Sequence, residues 1–244
     1  MKKFLTISFI FCSLYSQAAF YGVFIGISEY NESPDAALPY GVANDAKEIA
    51  AFFKNANHDT DYSKITLLTN RNAIKKNVLA AIEKQFTKAK QGDVVLFFFS
   101  GHGIPGAYCL HDDFFYYEEI KQLFSKSKAQ LKLCFIDSCF SGGIGSSPIG
   151  QRNLQETKMQ DLIIFSSSRT TEQSLATYGN NKSIFTDCLL KGLKGKADEN
   201  KDNTITASEL FRYVHNTVSS QTNDFQHPVM TGKFDKERVI IRYK

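Results

Sequence analysis

Tryptophan is absent from this sequence, so the bulky part of any core has to come from its 21 Phe and 11 Tyr residues. Cysteine is scarce. Five are present, far too few to hold a chain of 244 residues together as a disulfide scaffold. No block of Lys or Arg stands out, which leaves a nucleic-acid partner without an electrostatic footprint. Past the first residues, no apolar run approaches the ~20 residues that span a bilayer. Internal repeats, low-complexity tracts and linkers are missing too, and the length suits one domain with a substantial core. With 43% hydrophobic and 22% charged residues, the composition is that of a soluble globular protein.

The one long apolar stretch stands at the start. Lys2 and Lys3 precede a run from Phe4 to Tyr15, and Ser16-Gln17-Ala18 places small residues where a signal peptidase reads. The expectation is a signal peptide over residues 1–18, a single mature domain over 19–244, and an exported protein, periplasmic or secreted. Cys12 is not read as a lipidation site, because Phe9-Ile10-Phe11 lacks the small residue expected before it. Loss of Lys2 and Lys3, and of no acid, takes the net charge from +4 to +2. The four cysteines left are Cys109, Cys134, Cys139 and Cys188. Cys134 lies within an apolar strand pattern and reads as a packed side chain. Cys109 and Cys188 are free to pair in an oxidising compartment or to remain thiols.

Strand-like apolar runs recur at 20–27, 64–68, 93–100, 131–137, 162–165 and 238–243. Several are apolar at both alternating sets of positions, which implies burial on both faces. Helical patterns lie between them, over 42–56, 72–90, 183–193 and 206–219. In the second, Ile74, Val78, Leu79, Ile82 and Phe86 form one stripe. The alternation predicts an α/β fold with a mainly parallel six-stranded sheet and helices on both faces.

In such sheets ligands bind beyond the carboxyl ends of the strands. Two strand ends here carry reactive groups. The run 93–100 leads into Ser100-Gly101-His102-Gly103, and the run 131–137 into Asp137-Ser138-Cys139-Phe140-Ser141-Gly142-Gly143. If the two strands are neighbours, an imidazole and a thiol meet at one edge, as Cys–His nucleophilic catalysis requires. The flanking glycines let the chain turn sharply and let a substrate approach. A buried Cys and a single His are more often structural, and Cys134 and His111 are read that way. The residues alone leave both interpretations of His102 and Cys139 open.

Ser100-Gly101-His102-Gly103 and Asp137-Ser138-Cys139-Phe140-Ser141-Gly142 resemble the catalytic motifs of caspase-like cysteine peptidases, particularly metacaspases and their bacterial relatives. Gly26-Ile27-Ser28-Glu29-Tyr30, Val42-Ala43-Asn44-Asp45-Ala46 and the segment from Phe185-Thr186 to Glu209-Leu210 extend the resemblance over nearly all of the mature chain. It implies peptide-bond hydrolysis with Cys139 as nucleophile and His102 as base, an oxyanion hole from the N–H groups of Gly103 and Cys139, and no required metal or other cofactor. Asp45, Ser100 and Asp137 fall on the positions that line the Arg/Lys-specific pocket of metacaspases, so cleavage after Arg or Lys is expected. A paired carboxylate is sound chemistry for holding a guanidinium. Read locally, Asp45 is a helix-start acid and Asp137 a turn or cap residue. Phe140 departs from the His of many metacaspases, and the stretch from Gly143 to Lys158 is short for an activation linker. The partners implied are protein or peptide substrates. The alternatives are a catalytically inactive module that binds peptides or partners, and an enzyme of legumain-like or gingipain-like specificity.

One further segment has two readings. Residues 198–209 place oxygen side chains at Asp198, Asn200, Asp202 and Glu209 with calcium-loop spacing, but with Asn203 where glycine is expected. Thr206 and Glu209 also form a capping box opening a helix. The capping box is the preferred reading, and calcium is not expected.

Overall fold

The computed structural model describes residues 18–30, 37–38, 41–55, 61–146, 161–175 and 182–243. The expected signal peptide, but for Ala18, and residues 147–158 of the stretch from Gly143 to Lys158 lie outside the described residues.

Strand β1 (Ala19–Gly26) sends Tyr21, Val23 and Ile25 into one apolar cluster and Phe20 and Phe24 into another. Alternation between two buried faces is what an interior strand of a parallel sheet needs. Strand β3 (Val94–Ser100) splits in the same way, with Val95, Phe97 and Phe99 against Leu96 and Phe98, as does β7 (Leu131–Asp137). With β2 (Asp61–Thr69), β8 (Leu162–Ser166) and β10 (Val229–Lys233) they form a six-stranded sheet in the order β10-β8-β7-β3-β1-β2. Every pairing is parallel except that of β10 with β8.

Helices α1 (Gly41–Asn55), α5 (Ile184–Lys191) and α6 (Ala207–Gln221) cover the face that carries Phe24 and Phe98. Phe53 of α1 stacks on Phe20 with ring centroids 5.0 Å apart. Helices α2 (Lys75–Phe86) and α3 (Tyr117–Lys126) cover the other face through Val78, Ile82, Phe86, Ile120 and Phe124. Each fully buried Phe contributes roughly 1.5–3 kcal/mol, so the phenylalanines alone account for much of the core that tryptophan does not supply.

A small antiparallel sheet of β4 (Gly103–Ile104), β5 (Ala107–Cys109) and β6 (Phe114–Tyr116) follows β3. A short α4 (Gly143–Ser146) follows β7. Strand β9 (Thr204–Thr206) pairs antiparallel with β11 (Val239–Arg242).

Three details differ from the sequence reading. The run at 238–243 is a strand, but it belongs to the β9–β11 ladder. The sixth strand of the main sheet is Val229–Lys233, whose apolar residues Val229 and Met230 are only half-buried, as suits an edge. Helix α2 begins at Lys75, because Asn70–Asn72 forms a tight turn with Asn70 in the left-handed region (φ 46°). Helix α3 was missed. Its start is set by Glu119, whose carboxylate accepts the Tyr116 N–H at 2.9 Å, and Tyr117, Ile120, Leu123 and Phe124 recur within it at helical spacing on the buried face.

Candidate active site

The register of the sheet puts Gly26 opposite Ser100 and Ser100 opposite Asp137. Three central strands therefore end level with one another, and the segments after β3 and β7 leave the sheet side by side.

After β3, Gly101 N–H donates to Asp137 O at 3.2 Å, so the two strand ends stay joined for one more residue. His102, half-buried, is then fixed at both backbone groups: its N–H donates to the Tyr30 hydroxyl at 2.7 Å, and its carbonyl accepts from Cys109 N–H at 2.9 Å. The Cys109–His102 bond makes Gly103 and Tyr108 a non-hydrogen-bonded antiparallel pair. Gly103 N–H therefore points away from β5.

After β7 the chain is held by serines from the end of β8. Ser138 N–H donates to Ser167 Oγ at 3.0 Å, Ser168 Oγ donates to Ser138 O at 3.2 Å, and Gly142 N–H donates to Ser168 O at 2.9 Å. Phe140 N–H donates to Glu172 O at 2.9 Å, and Phe140 sits in the left-handed region at φ 59°. Such a backbone persists only where its surroundings determine it, and it is common at functional turns. Within this frame Cys139 is half-buried, and no backbone carbonyl among the described residues takes its N–H.

The two segments touch at Gly103. A Cβ there would lie 2.7 Å from Cys139 O and closer still to Ser138 Oγ. Gly101, Gly103, Gly142 and Gly143 all lie outside the left-handed region, which the described glycines occupy at 92, 106, 195 and 232. The chain does bend at Gly101 and turn at Gly142, but what calls for glycine at 101, 103 and 142 is that other protein atoms come within 3.0 Å of where a Cβ would stand; at Gly143 the nearest is the Tyr117 ring at 3.2 Å. Tyr117 adds a strut, its hydroxyl 3.4 Å from Ile104 O and 3.2 Å from Phe140 O. Burial pushes its pKa up to about 12, so it stays a neutral phenol. Gly103→Ala is expected to force the segments apart and to lower kcat on peptide substrates by about 10²–10³-fold, the size of effect seen when an oxyanion donor is lost. Steady-state kinetics beside a thermal melt close to that of the unsubstituted chain would check it.

The three pocket residues read from the sequence converge. Ser100 Oγ donates to Asp45 Oδ2 at 3.5 Å, and Ser183 N–H donates to the same oxygen at 3.3 Å. Asp137 accepts from Ser174 Oγ at 2.7 Å and from Thr186 Oγ1 at 2.6 Å. Neither acid acts as a local cap: Asp45 lies beyond the first turn of α1, and its partners are in distant segments. Only 2% of Asp45 and 4% of Asp137 is exposed. Burial first, then the negative charge of Asp137, pushes Asp45 up to about 9. Burial raises Asp137 as well, against the pull of its hydroxyl donors. The nearby Lys182 is engaged with Glu48 at 2.7 Å. The result is a buried carboxylate pair held by hydroxyls and short of positive charge. Ser174, Ser183 and Thr186 were missed in the sequence, where a scattered Ser or Thr carries no signal.

The remaining candidates fall elsewhere. His111, partly exposed, has its Nδ1 2.8 Å from Glu29 O, and Cys134 is fully buried in the core. Cys109 and Cys188 are free thiols; Cys188 packs in the cluster on the α5 face, away from the small sheet that carries Cys109. Burial and the neighbouring Cys139 push the Cys109 thiol up. At 198–209, Glu209 accepts from Thr206 N–H at 2.9 Å and caps α6, and Asp198 and Asp202 accept backbone N–H groups of their own loop. Among the described residues no group of three or more His, Cys, Asp or Glu is placed to hold a metal ion.

An α/β sheet whose central strands deliver a thiol and an imidazole to one rim defines the class of Cys–His strand-end proteins. Within it, the chain belongs to the caspase-domain family, whose model matches residues 21–238. Two solved structures are similar in fold. Protein GSU0716 from Geobacter sulfurreducens superposes with a TM-score of 0.64 at 17% identity, covering 93% of this chain and 100% of that one. Caspase-1 from Spodoptera frugiperda gives 0.65 at 16%, covering 91% and 89%. No curated protein matches the sequence. The family is one of cysteine peptidases that act on protein substrates, and no helix of the described residues is long and apolar enough to cross a membrane.

Proposed function

We propose that the chain is an exported cysteine endopeptidase that cuts after Arg or Lys, with His102 as base and Cys139 as nucleophile. The observation that carries the specificity is the buried, hydroxyl-held pair of Asp45 and Asp137 directly beneath the rim that bears both reactive side chains. A substrate guanidinium entering there meets two acids and a serine hydroxyl in a desolvated site, where charge-assisted hydrogen bonds are strongest. An acidic substrate side chain would instead add a negative charge beside two buried acids that already resist ionising.

The chemistry needs only side chains and backbone. His102 takes the thiol proton, and the Cys139 sulfur attacks the peptide carbonyl carbon. The resulting oxyanion is received by the N–H groups of Gly103 and Cys139. The imidazolium returns its proton to the leaving amine as the C–N bond breaks. Water, deprotonated by His102, then releases the acid from the thioester and regenerates the thiol. No metal takes part in this scheme. The charged start and apolar run of residues 1–18 support export.

The test is a set of fluorogenic peptides that differ only in the residue before the cut, assayed with the unsubstituted chain and with Cys139→Ala. Turnover after Arg and Lys, little after Asp, and none with Cys139→Ala is the expected result. Absence of turnover with every peptide would favour a peptide-binding module; equal rates after Asp and Arg would remove the pocket assignment.

A further inference from the structure

Tyr30 lies four residues beyond the end of β1, and its side chain reaches the other strand end. Its hydroxyl oxygen accepts the His102 N–H at 2.7 Å. Its ring lies against the His102 imidazole, with centroids 5.0 Å apart and planes inclined by 38°. Backbone pairing explains why a side chain is needed here. Ile27 N–H donates to Ser100 O, and Gly101 N–H to Asp137 O, and there the sheet ladder ends. At His102 the phenol oxygen replaces the carbonyl that a longer β1 would have supplied, so the N–H is not left without an acceptor.

A second observation is independent of these distances. A Cβ on Gly101 would lie 2.8 Å from the Tyr30 hydroxyl, the nearest of its neighbours, although the Gly101 backbone itself does not require glycine. The glycine before His102 is thus the space that the hydroxyl occupies. Burial also raises the Tyr30 pKa well above the ordinary phenol range, so it adds no charge and does not compete as a base.

We propose that Tyr30 is a positioning residue for the catalytic base, fixing His102 through its backbone N–H and through its ring. This rests on the peptidase reading above and adds to it a residue that the Cys–His pair alone does not imply.

Tyr30→Phe keeps the ring and removes the oxygen. The expected result with an Arg peptide is a fall in kcat of about tenfold with KM changed less than twofold, since misplacing a reacting group lowers turnover rather than binding. A second readout does not depend on peptide cleavage: the pH profile of iodoacetamide alkylation, followed on the fragment that carries Cys139, for the unsubstituted chain, His102→Ala and Tyr30→Phe. The Tyr30→Phe profile is expected to move toward that of His102→Ala. Gly101→Ala is expected to cost less in the Tyr30→Phe background than alone, because the atom that its Cβ meets is gone. A Tyr30→Phe protein with unchanged kcat and an unchanged alkylation profile would overturn the proposal, as would equal costs of Gly101→Ala in both backgrounds. If no peptide is cut while the unsubstituted and His102→Ala profiles differ, the peptidase reading fails and the Tyr30→Phe profile alone decides. If those two profiles coincide, His102 is not coupled to the thiol and both ideas fall.

Discussion

Cys139→Ala and His102→Ala are each expected to abolish peptide hydrolysis, by roughly 10⁴-fold or more, and the double variant is expected to be no worse than either alone. The reason is geometric. The two side chains stand on adjacent segments that touch at Gly103, and a nucleophile and its base would act as one unit. Multiplicative losses, or substantial turnover by Cys139→Ala, would assign the chemistry elsewhere. Cys109 is not expected to replace the nucleophile in Cys139→Ala, because burial pushes its thiol up and so disfavours the attacking thiolate.

Asp45→Asn is expected to lower kcat/KM for Arg peptides at least tenfold, a loss of about 1.4 kcal/mol, and at the same time to stabilise the fold at neutral and alkaline pH. The sign follows from the raised pKa. Between the ordinary carboxylate range and about 9, the folded chain keeps a proton on Asp45 that the unfolded chain releases. Stability therefore falls as pH rises through that window. The amide has no proton to lose, so the variant escapes its share of the decline. Thermal melts at pH 5, 7 and 8.5 should show similar midpoints at the acid end and a higher midpoint for Asp45→Asn toward the alkaline end. Some pH dependence should persist in the variant, since Asp137 is raised too. A pocket acid that costs stability when empty is the pattern of a site kept for binding. If Asp45→Asn melts lower at pH 8.5 and cuts Arg peptides unchanged, Asp45 is structural.

Much of the sheet was legible because burial on both faces leaves little choice of residue: Phe97, Phe98 and Phe99 in succession suit only an interior strand. The edge was not legible, because Val229–Lys233 is only half-buried and carries no such constraint. His102 and Cys139 stood out as reactive side chains at strand ends, and Asp45, Ser100 and Asp137 through family resemblance. The groups that hold them did not. Tyr30 and Tyr117 act by one oxygen each on residues 72 and 23 positions away, and the sequence gives no sign of which tyrosine hydroxyl meets which backbone. Glu172 holds Phe140 with its backbone carbonyl, a group that every residue possesses. Gly101, Gly103 and Gly142 were picked out for freedom to turn and for substrate approach, and their crowding by distant neighbours was not legible, since steric exclusion and freedom to turn leave the same letter in a sequence.

The level ending of β1, β3 and β7 sets where this chain tolerates changes of length. Neighbouring strands lie roughly 4.8 Å apart, and side chains change face with every residue. Ser100 and Asp137 share the rim only while Val94 to Ser100 stays in step with Leu131 to Asp137. One residue inserted within β3 would turn Ser100 to the opposite face and carry His102 a step past Cys139, while leaving the composition of the core almost untouched. The same residue added at the tip between β4 and β5, around Pro105 and Gly106, would lengthen an exposed turn and leave the ladder in step. Strand length is thereby a chemical parameter of this protein, as strict as the identity of the thiol, whereas the length of its outer turns is open to drift.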